Sequence, residues 1–158
     1  MFKTSTYFIK GQIPGVTKSD LINLYKRELE GQSVDNISSS ADIISFSNNT
    51  FKFVLNKFAN KFSSFSKGQI KISDEPNEFG IYFQADLTRL FTSAGLMAGA
   101  ATLFFLFSFG FDTLPLIIGL VIFVLLTVIG FISTSISFPI YFRNLRNDIE
   151  RELQTNRQ

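Results

Sequence analysis

The sequence predicts an α+β soluble domain (a strand, a helix and an antiparallel meander of about four strands) followed by a transmembrane α-helical hairpin. Short alternating apolar patterns, separated by turn residues, occupy residues 1–86 and are typical of half-buried strands. Two uncharged runs follow, residues 90–111 and 113–142, and each reaches the roughly twenty apolar residues that a spanning helix needs. A charged stretch with helical periodicity, residues 143–158, comes last.

The first predicted elements are a strand over residues 6–13 and a helix over residues 18–30. A Pro-Gly turn would close the strand. Residues Thr17 to Asp20 can act as an N-cap segment, because Asp20 falls near the third helical position. A stripe at helical spacing then runs through Leu21, Leu24 and Tyr25, and Gly31 follows the predicted end.

Period-two alternation predicts the meander. A polar linker over residues 32–40 comes first, and four apolar runs with turn residues between them follow it. The runs are Ile44 with Phe46, Phe51 to Leu55, Ile70 with Ile72, and Phe79 to Leu87. We expect four antiparallel strands with one face packed against the helix.

The uncharged runs predict spanning helices over about residues 90–111 and 114–138. Sixteen positions between Leu114 and Ile136 are Leu, Ile, Val or Phe, which together favour insertion by at most about 5–10 kcal/mol. Buried helices of a soluble core are the alternative, but their apolar runs are usually shorter. The turn between the two helices, residues 110–113, is short, so the helices would be antiparallel within a hairpin domain of residues 88–142.

Basic residues near the ends of the runs predict the orientation. Lys71 and Arg89 precede the first run, and the turn contains no basic residue. The arginines after the second run are Arg143, Arg146, Arg151 and Arg157. The positive-inside rule therefore predicts a two-pass protein with both termini in the cytoplasm, and with Arg89, Tyr141 and Arg143 at the headgroup layer. Neither run contains a charge, so no ion or proton path is expected.

Small residues predict where the two helices pack. Gly95 and Gly99 form a GxxxG pair in the first run, and Gly119 and Gly130 are available in the second. Such spacing lets two helix backbones approach closely. We expect the pair to face the protein's own second helix, with homodimerisation as the alternative.

A basic, Phe-rich stretch has two interpretations: contact with the membrane interface, or a place in the domain core. It contains five lysines and no acid between residues 51 and 73. The residues predicted to contact anionic lipid headgroups are Lys57, Phe58, Lys61, Phe62, Phe65 and Lys67. The alternative is that the phenylalanines fill the domain core while the lysines are solvated.

Composition argues against most enzyme classes. Cysteine and histidine are absent, which excludes thiolate nucleophiles, zinc sites of the Cys/His type and Ser-His-Asp triads. No phosphate-binding glycine loop occurs, and the carboxylate pairs lie in strongly polar sequence surroundings, where a carboxylate makes a poor general acid or base. A net charge of +2 does not favour nucleic acid. We expect no catalysis, cofactor or metal.

The layout resembles small uncharacterised bacterial membrane proteins that have an N-terminal α+β domain and a C-terminal two-helix hairpin. The resemblance extends over the whole chain and rests on this layout and on the segment SKGQIKI, residues 66–72. It implies a bacterial inner-membrane location and supplies no catalytic residues. The order of strand, helix and meander is also similar to part of a START-like fold.

Three functional hypotheses follow from these patterns. The first is a membrane-tethered interaction module that binds a partner, another protein or lipid, at the cytoplasmic face. The second is an accessory subunit that packs in a larger complex through its hairpin. The third is a small-ligand domain with an apolar pocket lined by Phe53 and Phe83. The amphipathic tail, residues 143–158, would either dock on the domain or lie along the headgroups.

Overall fold

The computed structural model describes residues 1–32, 34–48, 61–110 and 113–155. A five-stranded antiparallel sheet with the strand order β1-β5-β4-β3-β2 is combined with three helices, which confirms the α+β class. The strands are β1 (Phe2–Ile9), β2 (Asn36–Ser39), β3 (Ile43–Ser47), β4 (Lys67–Asp74) and β5 (Glu78–Asp86). The helices are α1 (Lys18–Gly31), α2 (Thr88–Phe109) and α3 (Thr113–Thr155).

Alternation determines which sheet face is buried. Ile70 pairs with Phe83 and Ile72 with Ile81, and all four side chains point into the core. Their neighbours Lys71 and Tyr82 are exposed on the opposite face, which we call the outer face. An antiparallel sheet commonly has one packed and one solvated face, as here.

The predicted bounds of the first strand and the predicted linker over residues 32–40 were wrong. β1 covers Phe2–Ile9 instead of residues 6–13, because it pairs with β5 along its whole length. β2 lies within the predicted polar linker, where pairing of the Asn36–Ser39 backbone with β3 outweighs the weak pattern of the side chains. The strand predicted over residues 51–55 lies outside the described residues.

The predicted capping segment begins α1. The Thr17 hydroxyl accepts a hydrogen bond from the Asp20 amide at 3.2 Å, and the Thr17 amide donates to the Asp20 carboxylate at 2.9 Å. Two of the amide donors at the N-terminal end are satisfied in this way. The helix then buries one stripe against the sheet: Leu21, Ile22, Tyr25 and Leu29.

The core of the sheet domain contains residues from both ends of the chain. α1 covers part of the inner sheet face, and the second half of α3 covers the part next to β1. From α3, the buried side chains are Phe138, Phe142, Leu145 and Ile149. The globular unit therefore includes the end of α3 as well as the described part of residues 1–86.

α2 and the first half of α3 extend away from this unit as an antiparallel pair. α2 has 22 residues and is about 33 Å long, close to the roughly 30 Å of a bilayer core. α3 has 43 residues, so its second half extends beyond α2 along the sheet. Both helices are long and apolar enough to cross a membrane, by length and composition alone.

Candidate functional site

The apolar surface of the described chain is concentrated on the helix pair. Of 23 exposed large apolar side chains, 19 lie on α2 and α3 between Phe91 and Ile140. Several are more than half exposed, among them Met97, Phe104, Phe107, Leu120 and Ile129. So many large apolar side chains exposed on one pair of helices are unusual for a soluble monomer.

Small residues line the seam between the two helices. A β-carbon at Gly119 would overlap the hydroxyl of Thr102, and one at Gly130 would lie 2.5 Å from the Leu90 side chain. These glycines of α3 therefore permit close approach of α2. The α2 side chains buried in the seam are Ala94 and Ala98.

The predicted GxxxG pair is only partly in this seam. A β-carbon at Gly95 would lie 3.8 Å from the Phe123 ring, whereas one at Gly99 would meet nothing within 4 Å. Gly99 is exposed, one position away from the buried Ala98. The face of α2 that packs against α3 is therefore displaced by one residue, which is about 100° around the helix axis, from the face that the glycine motif predicted.

α3 joins the helix pair to the sheet domain without a break. The Phe138 ring lies 4.5 Å from that of Phe83 on β5 and 4.8 Å from that of Phe65. The Tyr141 hydroxyl donates a 2.8 Å hydrogen bond to the Glu28 carboxylate of α1. Tyr141 also packs against Phe62, so it holds α3 on the domain and is half-buried there.

β5 joins α2 through a single residue, the buried Leu87. The Asp86 carboxylate accepts hydrogen bonds from the amide and the hydroxyl of Thr88, at 2.8 and 2.6 Å. These bonds, and to a smaller extent the charge of Lys67, hold the pKa of Asp86 below its ordinary value. The start of α2 is therefore fixed to the end of the sheet, and Arg89 is buried at this junction.

The predicted interface residues have different surroundings in the structure. Phe62 and Phe65 are fully buried in the core, which is the alternative stated for this stretch. Lys61, Lys67 and Arg143 are exposed. Lys57 and Phe58 lie outside the described residues.

The apolar pocket expected beside Phe83 is filled by aromatic rings. Phe83 has ring neighbours between 4.5 and 6.2 Å away: Phe2, Phe46, Phe62, Phe65, Phe138 and Phe142. The core around this residue is therefore packed with side chains. Phe53, the other residue named for that pocket, lies outside the described part of the chain.

The outer sheet face has two open concave regions that the sequence analysis missed. One, which we call the trough, measures about 720 Å³ and is bordered by β2, β3, β4 and β5. Its polar lining includes Ser38, Ser45, Ser47, Lys67, Gln69 and Gln84. A smaller hollow of about 400 Å³ lies beside it, between Lys3, Lys71 and Tyr82. Only the register of separate strands brings these residues together.

The described residues include no group of three or more His, Cys, Asp or Glu side chains that could hold a metal ion. The buried Tyr25 hydroxyl, whose pKa burial raises, has no hydrogen-bond partner in the described part of the chain. The Tyr25 ring is buried in the core, with 5.9 Å between its centroid and that of the Phe142 ring. No family model, curated protein or solved structure matches the chain.

Proposed function

We propose that α2 and the first half of α3 insert into a membrane as a hairpin that tethers the sheet domain as an interaction module. The observation that carries this proposal is the distribution of exposed large apolar side chains: of the 23 in the described part of the chain, 19 lie on the helix pair. Exposure of this surface to water would cost a free energy of about 25 cal/mol for each Å² of apolar area. A bilayer removes that cost, and the backbone bonds of both helices are satisfied internally.

The tether holds the domain in a fixed position. One residue separates β5 from α2, and α3 is continuous from the apolar pair into the domain core. A flexible linker would allow the domain to search the cytoplasm, whereas these junctions keep it at the leaflet surface. This geometry favours binding to partners that are themselves at the membrane.

The orientation that we propose places both ends of the chain on the cytoplasmic side. The exposed Arg143 and Lys67 lie at the domain end of the helices, and the described residues at the opposite end, Phe107 to Gly110 and Thr113 to Leu116, contain no charge. The positive-inside rule supports this direction of insertion.

Membrane fractionation of the full chain tests this proposal. The wild-type protein should stay in the membrane pellet after an alkaline carbonate wash. Val124→Lys, in the middle of the exposed face of α3, should shift the protein towards the soluble or aggregated fraction, because a central lysine costs about 2.5–3.5 kcal/mol. Gln154→Lys adds the same charge on the exposed tail and is the matched control. Release of folded wild-type protein by carbonate would contradict insertion.

A second candidate function is that of an accessory subunit packing through the exposed side of α2. The specific observation is that Gly99 is exposed and Gly95 only half-buried in the hairpin. Another helix could approach there closely, either from a second copy or from a different membrane protein. Gly95→Leu combined with Gly99→Leu should then abolish a crosslinked assembly, and an unchanged assembly would remove this candidate.

A further inference from the structure

We infer that the trough and the adjacent hollow on the outer sheet face bind the headgroup of a hydroxyl-bearing anionic phospholipid, such as phosphatidylglycerol. This inference rests on the proposed membrane insertion and deepens it by naming a ligand class. The site consists of the outer-face side chains of β1 to β5 at the end of the sheet from which α2 leaves.

A row of hydrogen-bonding groups crosses the outer face of the sheet. Lys3, Gln84, Gln69, Ser45 and Ser38 are consecutive register partners on the five strands. Neighbouring members of such a row are about 4.8 Å apart. Ammonium, amide and hydroxyl groups side by side match a ligand that has several oxygens.

The lining of the two concave regions carries more positive than negative charge. Lys3, Lys67 and Lys71 line the two concavities, and Asp86 is the acid among their lining residues. One Asp86 oxygen already accepts two hydrogen bonds from Thr88, and Lys67 is its register partner. Cations therefore outnumber acids three to one, which favours an anionic ligand.

Several lysines elsewhere in the domain lie beside acidic residues, unlike Lys3 and Lys71. Lys10 contacts Asp74 at 2.6 Å, Lys18 contacts Asp42, and Lys26 lies 3.9 Å from Glu30. In the described part of the chain, Lys3 and Lys71 form no salt bridge. Two cations in a concave surface without acidic partners are available to a ligand.

The trough lies close to the start of α2. Asp86 lines the trough, and α2 begins two residues later at Thr88. When α2 enters the bilayer, the trough lies beside the headgroup layer of the same leaflet. A lipid headgroup is thus presented to the trough at high effective concentration, which a soluble ligand would not be. The phosphate would contact the lysines, and the headgroup hydroxyls would contact the serines and glutamines.

The experiment uses the full-length protein in detergent with mixed lipids, and native mass spectrometry measures which lipids remain bound. We expect phosphatidylglycerol adducts in preference to both phosphatidylcholine and phosphatidic acid. In the variant Lys3→Gln, Lys67→Gln, Lys71→Gln, affinity should fall roughly a hundredfold, since each lysine near anionic lipid strengthens binding about fivefold. The control variant Lys10→Gln, Lys18→Gln, Lys26→Gln has the same charge change among paired lysines and should bind as wild type.

Ser45→Trp fills the trough without changing its charge and should also weaken the adduct. Undiminished phosphatidylglycerol binding by the triple outer-face variant, or equal binding of phosphatidylcholine, would overturn the inference. A preference for phosphatidic acid equal to that for phosphatidylglycerol would remove the role of the hydroxyls. A wild-type protein that carbonate extracts would overturn the tether as well, whereas an inserted protein without lipid preference overturns this inference alone.

Discussion

The centroid of the Phe138 ring on α3 lies 4.5 Å from the centroid of the Phe83 ring on β5. Phe138 is thus part of the sheet-domain core, only two residues after the exposed apolar side chain of Ile136. The helix that we propose to cross the membrane therefore continues directly into the domain core. Displacement of this helix and loosening of the sheet domain are consequently coupled.

Truncation of Phe138 tests this coupling. Phe138→Ala should lower the free energy of unfolding of the domain by about 3–5 kcal/mol, because it leaves a cavity among packed rings. Thermal unfolding in mild detergent measures the loss. Ile140→Ala, on the exposed side of the same helix, is the matched control and should leave the melting temperature nearly unchanged. Equal effects of both substitutions would refute a core position for Phe138.

The docked tail provides a second test. Ile149 is buried against the domain and Asp148 beside it is exposed. Ile149→Ala should destabilise the domain by about 2–5 kcal/mol and should accelerate proteolysis of the tail, because a docked helix resists cleavage. Asp148→Ala should do neither. A tail that is cleaved equally fast in wild type and in Ile149→Ala would show that it is undocked in solution.

The helices and most strands follow from local patterns in the sequence, whereas the burial of Phe62 and Phe65 in the core was only one of two interpretations of their stretch. Thr17 and Asp20 indicate where α1 begins, and the alternation around Ile70 and through Phe79 to Leu87 indicates two central strands. β2 has one apolar residue, Ile37, in the sequence Asn-Ile-Ser-Ser, so its pairing with β3 has no local signal. Pairing energy in a sheet depends on neighbours that a single segment does not reveal.

The candidate site was less accessible to sequence analysis than the fold. Ser38, Ser45, Gln69 and Gln84 come from four different strands and form no recognisable binding motif. They become neighbours only when the strand order and register are known. In contrast, the GxxxG motif of α2 predicted a packing surface that the structure rotates by one position, because Ala98 is as suitable for close packing as Gly99.

The seam between the helices gives a third prediction. Gly119→Val should destabilise the hairpin by about 1–3 kcal/mol, since the added atoms would overlap Thr102 and force the helices apart. Gly99→Val should leave the stability of the monomer unchanged, because its β-carbon would meet open space. Unfolding in increasing dodecyl sulfate measures both. If Gly99→Val were the more destabilising change, α2 would have to be rotated from its position in the structure.

Acid should weaken the junction between β5 and α2. The folded-state pKa of Asp86 is lowered, chiefly by its hydrogen bonds with Thr88, so the ionised carboxylate stabilises the folded state above its unfolded pKa. This contribution is lost as the pH falls below the unfolded-state pKa, about 4, and then through the lower pKa of the folded state. Asp86→Asn should melt below wild type at neutral pH, and the difference should close in acid. A difference that is independent of pH would show that the charge of Asp86 plays no part.

Accessibility of single cysteines tests the central claim, an inserted hairpin with the domain on the cytoplasmic side. The chain contains no cysteine, so Ser5→Cys on the outer sheet face and Thr113→Cys at the start of α3 are unique labels, both at exposed positions. A membrane-impermeant maleimide applied to intact spheroplasts should label Thr113→Cys alone, and permeabilisation should make Ser5→Cys reactive as well. Labelling of Ser5→Cys before permeabilisation would contradict the account.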